Sequence, residues 1–252
     1  SERMVDFAKS VVGGMQGGLA VSCVITCMIF AAVAGSSVAT TFAVGAILIP
    51  AMVKHGYPRP FAASLQATAA ELGVIIPPSV PMILFAVSTD TSVGELFIAG
   101  IGPGILIAVA LMFYVWLYAK RHGYGKQDGH DRIPLWPAFK RAWLALLMPV
   151  IILGGIYGGV FTPTEASAVA VVYALFIGIF VYRRLNLATL SHTFHRSVIS
   201  TAVIMFVIAN AGVFGFLLNR AGVPAALGQW LGALFTDKVT FLMGVNIALF
   251  LI

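Results

Sequence analysis

The sequence predicts an all-α integral membrane protein with a re-entrant helical hairpin and a broken transmembrane helix. Three observations predict it. Hydrophobic residues make up 60% of the chain and charged residues 10%, against about 25% charged in a soluble domain. The run from Ser10 to Val53 contains no Lys, Arg, Asp or Glu, and it is too long for one span of roughly 20 residues. Residues 61–87 could also cross, but three prolines interrupt them. Uncharged runs of this length fit helices and not the alternating pattern of a β-barrel.

The first element is an arm, residues 1–12. Met4, Val5, Ala8, Val11 and Val12 share one helical face, and Arg3, Asp6 and Lys9 lie off it. That pattern suits a short helix along the membrane interface.

Residues 13–54 follow as two limbs, roughly 15–34 and 38–53, meeting at Gly35-Ser36-Ser37. A turn in the headgroup region usually brings Lys, Arg, Trp or Tyr, and this one has none. Ser22, Thr26, Thr40 and Thr41 suit close helix packing better than lipid contact. A re-entrant hairpin with its tip inside the membrane satisfies both observations; two full spans joined by a tight turn are the alternative. Cys23 and Cys27, the two cysteines, have no His or carboxylate beside them. They read as small buried residues, with no disulfide or transition-metal site.

Residues 55–119 hold the broken helix and the span after it. Glu71-Leu72-Gly73-Val74-Ile75-Ile76-Pro77-Pro78-Ser79-Val80-Pro81 lies mid-span. Proline lacks an amide and restrains the residue before it, so this cluster splits the helix into two halves joined by extended backbone. Such backbone is tolerated at membrane depth only inside protein or against a watery cavity. A merely kinked packing helix is the alternative. A polar loop is expected over 88–96, then a crossing over 97–119. Residues 120–142 form a hydrophilic loop, and 143–218 hold three spans (143–160, 166–182, 198–218) with a polar connection over 183–196. Residues 219–252 repeat the opening order, a short amphipathic segment over 221–236 and then an apolar limb. The first residue is not Met, and the last lies inside an apolar run, so an interior portion of a longer protein is expected.

The net charge of +6 does not mark a nucleic-acid surface, because the basic residues lie in connections between spans. Of the 15 Lys and Arg, 13 fall on the side of the hairpin mouth: Arg3, Lys9, Lys54, Arg59, Lys120, Arg121, Lys126, Arg132, Lys140, Arg141, Arg183, Arg184 and Arg196. Only Arg220 and Lys238 fall on the other. The positive-inside bias places the mouth in the cytoplasm. Five crossings then put 221–236 on the opposite face, so the repeated order suggests an inverted repeat, the usual build of secondary transporters.

A hairpin tip and a helix break meeting at the midplane bring four helix ends to one point. The limb ending at Gly35 and the half-helix ending near Leu72-Gly73 offer carbonyls and negative dipole ends to a cation. The limb starting at Ser36-Ser37 and the half-helix starting at Pro78-Ser79 offer amides to a carboxylate. From these helix ends, Gly35, Leu72 and Gly73 are expected at a cation, and Ser36, Ser37, Pro78 and Ser79 at a carboxylate. Glu71, the one ionisable residue well inside a span, is read either as part of this site or as a structural carboxyl beside the break. Gln66, Thr68, Asn210 and Asn246 read as helix-packing residues. The five histidines (His55, His122, His130, His192, His195) fall in connections, which argues against a proton relay.

Three stretches also carry a resemblance: Ala34-Gly35-Ser36-Ser37-Val38-Ala39-Thr40 with Ile49-Pro50-Ala51-Met52, then Gly73 through Met82, then Gly155 through Ala166. Together they resemble the large membrane subunit of tripartite ATP-independent periplasmic (TRAP) transporters, over essentially the whole chain. The resemblance implies an elevator-type permease of the bacterial inner membrane, importing organic acids such as C4-dicarboxylates or sialic acid with sodium as coupling ion. Its implied partners are a small membrane subunit, a periplasmic substrate-binding protein, the organic-acid substrate and membrane lipid. It also implies an ion site lined by Gly35, Ser36, Ser37, Leu72, Gly73, Ile76 and Pro77, substrate contacts at Ser37, Thr40, Glu71, Pro78 and Ser79, no enzymatic activity and no cofactor.

The rival readings are an ion-conducting channel and a non-transporting structural membrane subunit. A channel favours rings of charge or a repeated carbonyl filter, neither of which is visible. A protease nucleophile at Ser36 has no His or Lys within the spans to activate it. No Gly-x-x-x-x-Gly-Lys-Ser/Thr motif is present for an ATP-driven pump.

Overall fold

A computed structural model describes residues 2–12, 14–125, 134–183, 185–235 and 237–251. Lys126, Arg132 and Arg184 of the charge count and His130 of the five histidines lie outside the described residues, as do Thr236 and Ile252. Every regular element among the described residues is helical. They form two compact units, Ser1–Leu187 and Ala188–Ile252.

The first unit is built around one helix. The arm α1 (Glu2–Val12) leads into α2 (Gly18–Ala34), which packs against α1, against α3 (Ser37–Lys54), against α4 (Arg59–Ala70) and α5 (Leu72–Ile75), and against α7 (Val93–His122). Its Leu19, Ala20, Cys23, Val24 and Cys27 join Leu48, Met52, Leu65, Leu72, Ala108 and Val115 in the core. Ser22 and Thr26 are buried there because each donates its hydroxyl to a carbonyl one turn back, Leu19 O and Ser22 O, both at 2.7 Å. On the arm, Met4, Val5, Ala8 and Val12 are buried as the pattern implies, whereas Val11 is exposed.

The broken span consists of α4, α5 and α6 (Val80–Thr89), bent by 41° at the break. The first half ends at Ile75, one turn later than the expected Leu72-Gly73, because a short turn of helix survives until proline removes the amides. By helix rise the break lies roughly 25 Å from Arg59, with about 15 Å of α6 beyond it. Phe97 and Gly100 of α7 are buried, and α7 packs on both α5 and α6.

Three connections are shorter than the sequence suggests. The polar stretch 88–96 is mostly helical: α6 runs to Thr89, and α7 starts at Val93 with the Ser92 hydroxyl accepting from Glu95 N. Helix α8 (Leu135–Tyr157) begins eight residues before the expected crossing at Trp143. The turn after it is fixed by a capping box, in which the Thr162 hydroxyl accepts from Glu165 N and the Glu165 carboxylate accepts from Thr162 N at 2.8 Å. Helix α9 (Pro163–Phe176) continues as a π-helical segment, Ile177–Val181. The expected connection 183–196 is largely helix, since α10 (Leu187–Arg220) already carries His192, His195 and Arg196.

The second unit holds the rest of α10, then α11 (Val223–Leu234) and α12 (Lys238–Leu251), a short helix followed by an apolar one. Among the described residues, five helices are long and apolar enough to cross a membrane, or up to six if the bent pair counts as one span.

Candidate functional site: the hairpin tip against the helix break

Local chemistry sets each side of the site. Helix α2 stops because Gly35 takes φ 60°, a left-handed conformation that glycine adopts without a Cβ penalty, and its amide donates to Ala31 O at 2.9 Å. Ser36 is extended and caps α3: its hydroxyl accepts from Ala39 N at 3.4 Å. The Ser36 carbonyl accepts both the Thr40 amide, at 3.1 Å, and the Thr40 hydroxyl, at 2.8 Å.

At the break, the last helical amide is that of Ile76, donating to Leu72 O at 2.8 Å. A continuing helix would aim the amides of residues 77 and 78 at the carbonyls of Gly73 and Val74. Both residues are proline and have none. Ser79 replaces one of the two: its hydroxyl donates to Val74 O at 2.5 Å while accepting from Met82 N at 3.4 Å as the cap of α6. Among the described residues no donor replaces the other, so the Gly73 carbonyl is left without a helical partner.

The two pieces touch. Val80 N donates to Gly35 O at 3.0 Å, a backbone bond from the start of α6 to the end of α2. A methyl added at Gly35 would lie 2.6 Å from Pro78 O, and one added at Gly73 would lie 2.9 Å from the Ser36 carbonyl carbon and oxygen and 3.1 Å from Ser37 N. Real Cβ atoms do not approach so closely, so only glycine permits this join. The tip stops level with the break, with about 15 Å of α6 beyond it by helix rise.

The structure therefore brings together Gly35, Ser36, Ser37, Gly73, Pro78 and Ser79. Leu72 is buried at the start of the surviving turn, and Ile76 and Pro77 form the strand-like link. The carbonyl ends of α2 and α5 converge here, an arrangement suited to a cation.

The expected carboxylate donors are corrected in part. At the start of α6, the Val80 amide is given to Gly35, Pro81 has none, and Met82 is capped by Ser79. That helix end has little left to offer an anion. At the start of α3 the amides of Ser37 and Val38, and the Ser37 hydroxyl, have no partner among the described residues. Thr40 and Ser79 are fully buried with hydroxyls given to backbone carbonyls, so they shape the tip and the break from within. Glu71 is exposed at the joint between α4 and α5, with no hydrogen bond or ion pair to its carboxylate among the described residues.

Two further features border the junction. Gln66, read from sequence as a packing residue, is fully buried between α2, α3 and α4 with all its amide atoms bonded. Its place in the buried stripe Ala62, Leu65, Ala69 was the available signal. An apolar cavity of about 350 Å³ lies behind the break, lined by Met28, Ile29, Ile76, Pro77, Ile105 and Leu146 among others. No His, Cys, Asp or Glu cluster that could hold a metal occurs among the described residues.

The family described as "Tripartite ATP-independent periplasmic transporter, DctM component" matches residues 1–252. The chain belongs to that family. It is 41% identical over 263 residues to the C4-dicarboxylate TRAP transporter large permease protein DctM of Rhodobacter capsulatus, covering 99% of this chain and 60% of the relative. With the protein of the same name from Pseudomonas aeruginosa it shares 44% over 257 residues, covering 99% and 58%. With the isethionate TRAP transporter permease protein DctMQ of Oleidesulfovibrio alaskensis it shares 39% over 254 residues, covering 100% of this chain and 40% of the relative. The chain thus spans about 60% or less of the length of these relatives. All three are named as permeases, that is, as transporters and not enzymes. In this DctM-family chain the tip–break junction falls within a multi-pass, all-α membrane protein.

Proposed function

We propose that the chain is the membrane permease portion of a sodium-coupled importer of organic acids, working as an elevator in the bacterial inner membrane. The observation that carries this reading is the junction of tip and break. Two helix C-termini converge there, and the double proline strips the Gly73 carbonyl of its helical donor. An unpaired carbonyl inside a membrane costs several kcal/mol unless something coordinates it. A sodium ion, taking oxygen ligands from Gly73 and the tip residues Gly35 to Ser37, answers that requirement. A substrate carboxylate is then met by the Ser37 and Val38 amides and the Ser37 hydroxyl, with Glu71 at the margin. Ile76, Pro77 and Pro78 fix the backbone path, and Leu72, Thr40 and Ser79 hold it from behind.

On this reading a periplasmic binding protein delivers substrate, a small membrane subunit completes the complex, and membrane lipid surrounds the spans. The hairpin mouth and the connection between α7 and α8 face the cytoplasm. The names of the relatives, C4-dicarboxylate and isethionate permeases, support an organic-acid cargo. One sodium moving inward through about 100 mV gains roughly 2.3 kcal/mol, and a tenfold gradient adds about 1.4 kcal/mol. A dianion costs about 4.6 kcal/mol against the same potential, so at least two sodium ions are required. The test is uptake of a dicarboxylate by proteoliposomes holding the intact permease, its small subunit and the binding protein. Uptake should rise with external sodium and stop when sodium is replaced by choline; uptake indifferent to that exchange refutes the reading.

A further inference from the structure

We propose that Gln66 is a positioning residue for the ion site, the side chain that holds the hairpin tip in register with the break. The inference rests on the proposed sodium coupling. Gln66 lies on the buried stripe of α4, where Ala62, Leu65 and Ala69 are its apolar neighbours. Another apolar residue would fill that stripe at no electrostatic cost, whereas a buried amide must be bonded at both ends. It is. Oε1 accepts from the Cys23 thiol at 3.1 Å, and Nε2 donates to Cys27 Sγ and to Thr40 O, each at 3.4 Å. One side chain on α4 thereby ties both limbs of the hairpin.

The orientation of the amide is dictated by Thr40. A backbone carbonyl can only accept, so a flipped amide would set two carbonyl oxygens against each other. The α3 backbone lies close over the same side chain, since a methyl at Gly45 would come within 3.1 Å of Gln66 Cγ. From Thr40 the chain of contacts runs straight to the site. Thr40 donates amide and hydroxyl to Ser36 O, and the Ser36 carbonyl packs on Gly73. Gly73 in turn stands about two helical turns beyond Gln66 on the same broken helix. The contacts form a closed ring from Gln66 through Thr40, Ser36 and Gly73 back to α4, so a slip at Gln66 displaces the tip carbonyls relative to Gly73.

The experiment measures sodium half-saturation and maximal uptake in proteoliposomes of the intact permease with its partners. Gln66→Leu keeps the volume and removes the bonds. It should raise the sodium half-saturation about fivefold, the effect of roughly one buried hydrogen bond, with the maximal rate at saturating sodium little changed. Gln66→Glu adds a readout that simple loss of packing does not produce. Burial raises a carboxyl's pKa; protonated, it still donates to Thr40 O, and ionised, it repels that oxygen. Its sodium half-saturation should be close to wild type at pH 6 and clearly weaker at pH 8, while wild type stays flat. Gln66→Leu titrating as wild type overturns the inference. If that variant does not assemble, a Gln66→Glu profile as flat as wild type overturns it instead. Either result with a sodium-dependent wild type leaves the proposed function standing, whereas a wild type indifferent to sodium removes both.

Discussion

Ser36 and Ser37 are adjacent, share a side-chain chemistry and do different work. The Ser36 hydroxyl caps α3, and its carbonyl collects two donors from Thr40. The Ser37 hydroxyl is half-buried with no partner among the described residues. Removing an N-cap hydroxyl costs about 1 kcal/mol, so Ser36→Ala should lower the thermal unfolding midpoint of the purified permease measurably. Ser37→Ala should leave that midpoint where it is and still cut uptake severalfold. Equal midpoints for both variants, or full uptake with Ser37→Ala, would show that the two serines are not divided in this way. The sequence reading named both as cap residues because N-cap preference is a property of residue type, and set Ser37 apart only as a substrate contact. The division of roles comes from the backbone angles at Gly35 and Ser36, which only the folded chain displays.

Among the elements, polar residues tell where water begins and not where a helix ends. The stretch 88–96 reads as a loop because of Asp90 and Glu95, yet Ser92 and Glu95 in Ser-x-x-Glu spacing are the start signal of α7. His192, His195 and Arg196 likewise ride on α10. The break was legible because its cause is local: two prolines remove two named amides. The loss of donors at the start of α6 was not legible, because the Val80 amide is taken by Gly35, a residue 45 positions earlier in the chain. An element-level prediction follows from the same accounting. Pro77→Ala restores an amide four residues after Gly73, lets α5 lengthen by a residue and withdraws the Gly73 carbonyl from the site. Helicity and assembly should be preserved or slightly improved, and sodium-driven uptake should fall about tenfold or more, the effect of losing one charge-assisted contact. Retained uptake in a well-assembled Pro77→Ala permease would mean that the open carbonyl is not used.

For the molecule as a whole, the uneven distribution of Lys and Arg predicts a topology that can be read chemically. Single cysteines introduced at Lys120 and at Thr164, in a background with Cys23→Ala and Cys27→Ala, should label from opposite sides of intact cells. A membrane-impermeant maleimide should reach the Thr164 position from outside and the Lys120 position only after the membrane is opened. The reverse pattern would invert the proposed orientation. In the wild-type chain both native thiols are fully buried against Gln66 and should not react with the same maleimide.

One junction decides whether the site holds an ion: there the Gly73 backbone meets the Ser36 carbonyl too closely for any side chain. The most direct test is a sodium titration of uptake, at matched amounts of assembled wild-type permease and Gly73→Ala. A methyl there must push tip and break apart by a few tenths of an ångström at least. The predicted result is a sodium half-saturation raised about tenfold or more in the variant, or uptake lost altogether, with the complex intact; a Gly73→Ala curve that overlays the wild type would contradict it.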